Sequence, residues 1–427
     1  MYYDKGILFD TDLVKSLKEK FYFPDFDPTY GERLFFDNSG GSLRLKAAVE
    51  AKAAMERFPD CPDRTHPQAK KLKEIVNRGT EELLDIVFSA KNGSLISELT
   101  ASQTMFHIIG LIMENVPGTN AVVSSIEHPS AYDAVEYYCK KTGKEMRVIP
   151  ANQKTGEIEP EAVMEFVDEN TSLLSVTSAS NVCGVITDLK AIVEAARKIK
   201  PNIYIVSDAV QHAPHAPLDV SELGLDGANF APYKFFGVRG CGFGYVSERV
   251  AKFPHHRLLA KNETEFALGT SAPGNFAAAM EIINYVCDLG ALFVNGTRKE
   301  LFKAGMNRIH LQERALLHRL LEGTEEIPGL RYIKGVTVYT DALPLSRRDL
   351  IAAIGISGLD STACAQKFQE RGVTVCDRSN SSLYSKRIVS ALGMPGCVRI
   401  SPMHCHGKED IDKFLKITAE IAKSQLI

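Results

Sequence analysis

Asp208 and Lys234 are the residues whose types and spacing point most directly to chemistry. Asp208 closes the apolar run 202–207, at the strand end where open α/β sheets place their ligands. Lys234 follows a short helical segment and a second strand-like run. An acid at one strand end and an amine at the next are what pyridoxal phosphate requires. The amine forms the Schiff base, and the carboxylate keeps the pyridine nitrogen protonated so that the ring can accept electrons. Taken alone, such a pair reads as a strand-end acid and a solvated lysine; further groups arriving in order argue otherwise. His128, in Glu127-His128-Pro129 after the run 121–125, can lie flat on a pyridine ring, and Asn181, after the run 172–177, stands within reach of a ring oxygen. Thr100, Ala101 and Ser102 open an apolar helical run, whose free N–H groups and dipole suit a phosphate.

These residues need a scaffold of alternating strands and helices, and the chain supplies one. From about Ser94 to Val246, short β-branched runs alternate with helical spacing, which predicts βαβ units around a mostly parallel sheet. Between two such runs, Leu189, Ile192, Val193, Ala196 and Ile199 share one helix face. After about Gly296 the pattern becomes a long helix over 299–325, strand candidates at 350–356, 373–375 and 397–400, and a closing helix bearing Ile411, Phe414, Leu415, Ile421 and Ala422 on one side. The expected division is an N-terminal segment, residues 1–30, packed on the smaller domain; a large α/β domain, residues 31–295; and a small α+β domain, residues 296–427. The glycine series Gly237, Gly240, Gly242 and Gly244 precedes a strand-like run, and so predicts a tight hairpin instead of a nucleotide loop. His404, Cys405 and His406, even with His212 and His215, lack ligand spacing, and no metal site is expected.

Composition sets the outer limits. The 427 residues carry 50 Lys and Arg against 53 Asp and Glu, a net charge of −3, with no basic stripe to displace counterions from nucleic acid. At 44% hydrophobic and 24% charged, the chain is globular and large enough for two or three domains. Asp4, Lys5, Asp10 and Asp12 interrupt any secretion signal, and the apolar run 107–113 ends at Glu114, too short to span a membrane. Nine cysteines scattered singly suggest a reducing cytoplasm, with neither a disulfide framework nor a zinc ribbon.

The ordered series His128, Asn181, Asp208, Gln211 and Lys234, within a stretch running from Phe36-Asp37-Asn38-Ser39-Gly40 to the last helix, resembles class V of the aminotransferase-like pyridoxal phosphate enzymes, in the cysteine desulfurase and selenocysteine lyase branch. The resemblance implies fold-type I architecture: a large, mostly parallel α/β domain plus a smaller α+β domain. It implies that Lys234 carries the Schiff base, Asp208 pairs with the ring nitrogen, His128 stacks on the ring, and Asn181 and Gln211 bond its phenolic oxygen. Thr100, Ala101, Ser102 and Tyr233 would hold the phosphate, and Thr270 would reach the phosphate of a neighbouring subunit, which implies a homodimer with its sites at the interface. Arg399 would grip the carboxylate of an amino acid substrate, joined there by Asn38 and Arg378.

Two departures matter. Ala231 and Tyr233 stand where the branch has Ser and His, so altered phosphate anchoring is expected. The stretch 372–382, matching the loop that carries the desulfurase nucleophile, has only Cys376, several residues early; a buried, inert thiol is expected there. Serines 379, 381 and 382 cannot accept sulfane sulfur. The expected enzyme is therefore a desulfurase-like carbon–sulfur lyase acting by β-elimination, with Arg378 on this loop serving a substrate acid or leaving group. A class V aminotransferase or an amino-acid racemase or epimerase is the alternative.

Overall fold

The computed structural model describes residues 4–425. Seven strands form the large sheet: β1 (Ser94–Glu98), β2 (Asn120–Ser124), β3 (Glu145–Ile149), β4 (Thr171–Ser175), β5 (Tyr204–Asp208), β6 (Gly227–Phe230) and β7 (Gly242–Val246). Their order is β1-β7-β6-β5-β4-β2-β3. All neighbours run parallel except β7, which lies antiparallel between β1 and β6. Residues of β2, β4, β6 and β7 are buried on both faces, as expected for a sheet covered by helices, and this is why these runs read as continuous apolar stretches.

The helices that position the site begin directly after strands. α1 (Ala101–Asn115) follows β1 and is capped by Thr100, whose side chain accepts the Gln103 N–H at 3.1 Å. α2 (Pro129–Thr142) follows β2, with Pro129 at its first turn and His128 as its cap. α3 (Leu189–Ile199) buries Leu189, Ile192, Val193, Ala195 and Ala196, with Asp188 as its cap. The predicted face is thus the buried one, although Ile199 is only half-buried.

The expected tight hairpin is absent. β6 and β7 are antiparallel neighbours, but residues 231–241 form a wide connection between them, and that connection carries Lys234 on a short 3₁₀ turn. Of the glycines around it, Gly242 has a clear steric role. A Cβ there would stand 2.2 Å from the Ala101 backbone nitrogen, so the first turn of α1 rests directly on β7.

The second core is built on an antiparallel sheet of β8 (Val336–Val338), β9 (Ala352–Ile356), β10 (Cys376–Ser379) and β11 (Gly396–Ile400), in the order β8-β9-β11-β10. The long helix runs over Arg298–Glu322, begun by a capping box between Thr297 and Glu300, and the closing helix over Lys408–Ser424. Leu34 and Phe36 are buried in this core with Phe368 and Phe414, and Leu34–Phe35 pairs in parallel with Val373–Thr374. The N-terminal segment lies along the long helix, where the Phe9 N–H donates to Gln312 Oε1 at 2.7 Å.

Candidate active site

Parallel strands that end at one edge of a sheet leave a crevice there, and in this chain the crevice is a cavity of about 210 Å³. Nine of the residues singled out from the sequence line it: Thr100, Ala101, Ser102, His128, Asn181, Asp208, Gln211, Tyr233 and Lys234. Five more, Ser130, Thr177, Ala179, Val210 and Arg239, were not singled out from the sequence.

Asp208 ends β5 and is 4% exposed. Its Oδ1 accepts the Val210 N–H at 3.1 Å and its Oδ2 the Ser130 hydroxyl at 3.2 Å. Burial raises its pKa against the opposing pull of that N–H and of Lys234. Ser130 also ties Asp208 to His128, since its hydroxyl lies 2.7 Å from His128 Nδ1. Nδ1 accepts the Ser130 N–H at 3.1 Å, so the neutral ring carries its proton on Nε2, and the single Ser130 hydroxyl proton goes either to Nδ1 or to Asp208. Burial, together with Lys234, Arg378 and Arg387, pushes His128 down to about 3 and keeps it neutral.

The Lys234 amine has no hydrogen-bond partner among the described residues. Its pKa is lowered to about 7 by burial first, then by Arg399 and Arg378, against Asp208 and Asp37. A neutral amine near pH 7 is both a nucleophile and a base. Asn181 Oδ1 and Gln211 Oε1 are buried without partners. A buried amide with an idle end is costly, and an amide can offer either oxygen or N–H to a ligand. Opposite them, the first turn of α1 supplies free N–H groups. Arg239 stacks on Tyr233, guanidinium 4.2 Å from the ring centroid, with its charge at the exposed rim. Arg239 lies five residues past Lys234 within the glycine series, a spacing that could have flagged it.

The carboxylate side has a different build. Arg399 on β11 is fully buried, with Nη1 donating to the Asn181 carbonyl at 3.0 Å and Nη2 to Asp37 at 2.5 Å. Asp37, next to Asn38 in sequence, was missed. Asn38 itself spends both amide protons on the carbonyls of Phe35 and Ser401, and its oxygen accepts the Leu43 N–H. It holds the loop and presents no free donor to a substrate. Cys376, expected to be buried, is half-buried and opens β10 directly opposite Arg399. The supposed loop is a strand there. Thr270 is exposed and donates to Asp63 at 2.7 Å, outside the cavity of its own chain. Arg387, from the short helix Lys386–Ala391, donates to the carbonyls of Ser125 and Glu127 and so clamps the loop before His128. His404 and His406 are buried in the core, where His404 Nε2 lies 2.7 Å from the Tyr285 hydroxyl. Among the described residues no cluster of three metal-ligating side chains occurs, and no helix is long and apolar enough to cross a membrane.

A mostly parallel sheet with a lysine at its crest, beside a smaller antiparallel domain, defines the fold-type I architecture of pyridoxal phosphate enzymes. Within that architecture the chain belongs to the aminotransferase class-V family, whose model matches residues 34–414. It is cysteine desulfurase-like. It is 23% identical over 406 residues to the cysteine desulfurase IscS of Methanosarcina thermophila, covering 92% of this chain and 93% of that one. It is 29% identical over 219 residues to a cysteine desulfurase of Shigella sonnei, covering 50% of this chain and 52% of the relative. The apo cysteine desulfurase of Thermococcus onnurineus NA1 has the same fold, with a TM-score of 0.77 at 21% identity, covering 92% of this chain and 95% of that one. Members of the family depend on pyridoxal 5'-phosphate.

Proposed function

We propose that the protein binds pyridoxal 5'-phosphate in this cavity, acts on a free amino acid, and cleaves a carbon–sulfur bond at Cβ by elimination. The observation that carries the reading is the half-buried Lys234 amine, lowered to about 7, sharing a cavity with Asp208 and two amides that have idle ends. When bound, the cofactor supplies an electron sink for negative charge developing at the substrate Cα. The residues do the rest. Lys234 would hold the cofactor and, as a neutral amine, would take the Cα proton. Asp208 holds a proton at the ring nitrogen, and Ser130 and the Val210 N–H hold Asp208. His128 offers an uncharged ring face and an Nε2 proton. Asn181 and Gln211 would face the phenolic oxygen, Gln211 by turning its amide from Ser39 and His215. The α1 N-terminus, Tyr233 and Arg239 take the phosphate, with Arg239 offsetting the missing serine and histidine. Arg399, preset by Asn181 and Asp37, takes the α-carboxylate.

Exposed Leu258, Leu259 and Leu268 on the loop before Thr270 support a homodimer in which Thr270 reaches the partner's phosphate. Nine free cysteines support a reducing, cytoplasmic setting. The test is to incubate the yellow protein with a panel of amino acids while assaying sulfide, pyruvate, alanine and amino transfer. Sulfide or thiol with pyruvate supports elimination. Alanine with a persulfide on Cys376 overturns it in favour of desulfuration, and amino transfer or racemisation alone supports the other class V reactions.

A further inference from the structure

Gln211 lines the cavity, yet its NH2 end is turned to protein. Its Nε2 lies 3.2 Å from the Ser39 hydroxyl and 3.5 Å from His215 Nε2, while its Oε1 is buried without a partner. His215 stands four residues on, in the turns after β5, and is 5% exposed. Its other nitrogen, Nδ1, is 2.6 Å from Glu313 Oε2 on the long helix. Glu313 Oε1 accepts the His404 N–H at 3.1 Å, so both carboxylate oxygens act as acceptors and the shared proton belongs to His215 Nδ1.

The groups around the ring set its charge. Glu313 faces it as an acid, as does Asp349, itself 3.0 Å from His212 Nδ1; Lys234 faces it as an amine, and His310 and His404 as imidazoles that burial keeps neutral. Burial opposes a charged His215, but the two acids outweigh burial and Lys234 and raise it to about 9. Burial also raises Glu313, with His215 and the His404 N–H opposing. A charged His215 is a donor at both nitrogens. Its Nε2–H then meets the Gln211 NH2, donor against donor, and neither finds an acceptor there. A half-turn of the amide removes the conflict without changing its outline. Oε1 then accepts from His215 Nε2 and from the Ser39 hydroxyl, which has no other partner among the described residues, and Nε2 takes the place of the idle oxygen.

We propose that the Glu313–His215 pair holds Gln211 in this turned orientation, its oxygen toward His215 and its NH2 toward the cavity, which makes His215 a positioning residue for the donor that meets the cofactor's phenolic oxygen. The inference rests on the reading of the cavity as a pyridoxal phosphate site. Neither His215 nor Glu313 lines that cavity, so the pair acts through Gln211.

The test follows the pH midpoint of the visible band in the cofactor-loaded protein. A donor on the phenolic oxygen draws off charge that otherwise holds the proton of the cofactor–lysine linkage, so losing the donor raises the midpoint. Gln211→Leu should raise it by about one pH unit, the size of one hydrogen bond to a charged group. Replacing the pair together, His215→Leu with Glu313→Gln, leaves no unpaired charge and should raise the midpoint by a similar amount. Combining all three changes should add nothing further, because both routes remove the same donor. An unmoved midpoint in the pair variant, or shifts that add, overturns the inference and leaves the cofactor reading standing. Neutron diffraction from the loaded parent protein needs no variant to fold. It should place a proton on each His215 nitrogen and the Gln211 NH2 toward the phenolic oxygen; a bare Nε2 facing that NH2 overturns the inference. If the purified protein takes up no cofactor and shows no visible band, the cofactor reading falls and this inference falls with it.

Discussion

On the large-sheet side of the cavity, Asp208 is 4% exposed with both oxygens engaged, and His128 is locked by Ser130. On the small-sheet side, beyond the lining of that cavity, Cys376–Ser379 are all half-buried, Arg378 has no hydrogen-bond or ion-pair partner among the described residues, and the turns after the strand carry Leu383 and Tyr384, which are 95% and 66% exposed. The first wall has Asp208 and His128 paired in advance, and leaves the Lys234 amine and the oxygens of Asn181 and Gln211 without partners. The second keeps charge in reserve and little packing around it. Preorganisation belongs where the chemistry is fixed, and loosely packed segments belong where ligands enter and leave. One wall is fixed before any ligand arrives, and the other is loosely packed.

Mutations can break or sharpen that contrast, and the largest effects belong to the first wall. Lys234→Ala should lower turnover by about 10³-fold or more, since both the anchor and the base are lost. Full turnover in this variant, measured against the same substrate, would remove Lys234 from the mechanism. Asp208→Asn should keep some bound cofactor, visible as colour, while turnover falls about a hundredfold, because a neutral amide cannot hold the ring nitrogen protonated. Equal activity of variant and parent across the pH range would contradict that role.

Next comes pH. On the proposed reading Lys234 must be neutral to capture the cofactor aldehyde, and burial with its neighbouring arginines lowers it to about 7. Below that value the neutral fraction drops, so the rate of cofactor uptake by the apo protein should fall about tenfold per pH unit, and level off above it. A rate still climbing toward pH 10 would place the amine in water.

On the second wall the effects shrink. Arg399→Lys should raise the substrate concentration needed for half-maximal rate about tenfold and change the maximal rate much less, because a point charge replaces a two-pronged donor. Cys376→Ser should change elimination by less than about twofold, since a half-buried thiol on a strand is poorly placed to attack substrate sulfur. Loss of most activity in that variant would give Cys376 the nucleophilic role.

Much of the first wall was legible in the sequence because its residues follow strand ends within a few positions of recognisable apolar runs. Asp208 closes β5, His128 follows β2 and caps α2, and Thr100 caps α1 in the order that local patterning predicts. The second wall is made by pairing between distant segments, and local patterning is silent there. Arg387 reaches carbonyls about 260 residues away, and Asp37 meets Arg399 from the far end of the chain. The tight hairpin expected from the glycine series failed for the same reason. Glycines that looked like turn residues serve close packing instead, as Gly242 does against Ala101. Asn38 was misassigned because proximity to the site in sequence does not reveal that its amide is consumed by backbone.

The contact between Gly242 and the first turn of α1 also bears on the order of assembly. β7 is the antiparallel strand next to the sheet's edge, and it enters between β1 and β6 from well over a hundred residues beyond β1. Until it is seated, the backbone on which Ala101 rests is missing, and the anion cup at the start of α1 has no floor. On the proposed reading, cofactor capture is tied to closure of the sheet, and a partly folded chain that has formed only the consecutive βαβ units should not retain the phosphate. In a refolding experiment, the cofactor's visible band should appear with the slowest structural phase, and Gly242→Ala should delay or abolish that band while leaving the earlier helical signal in place.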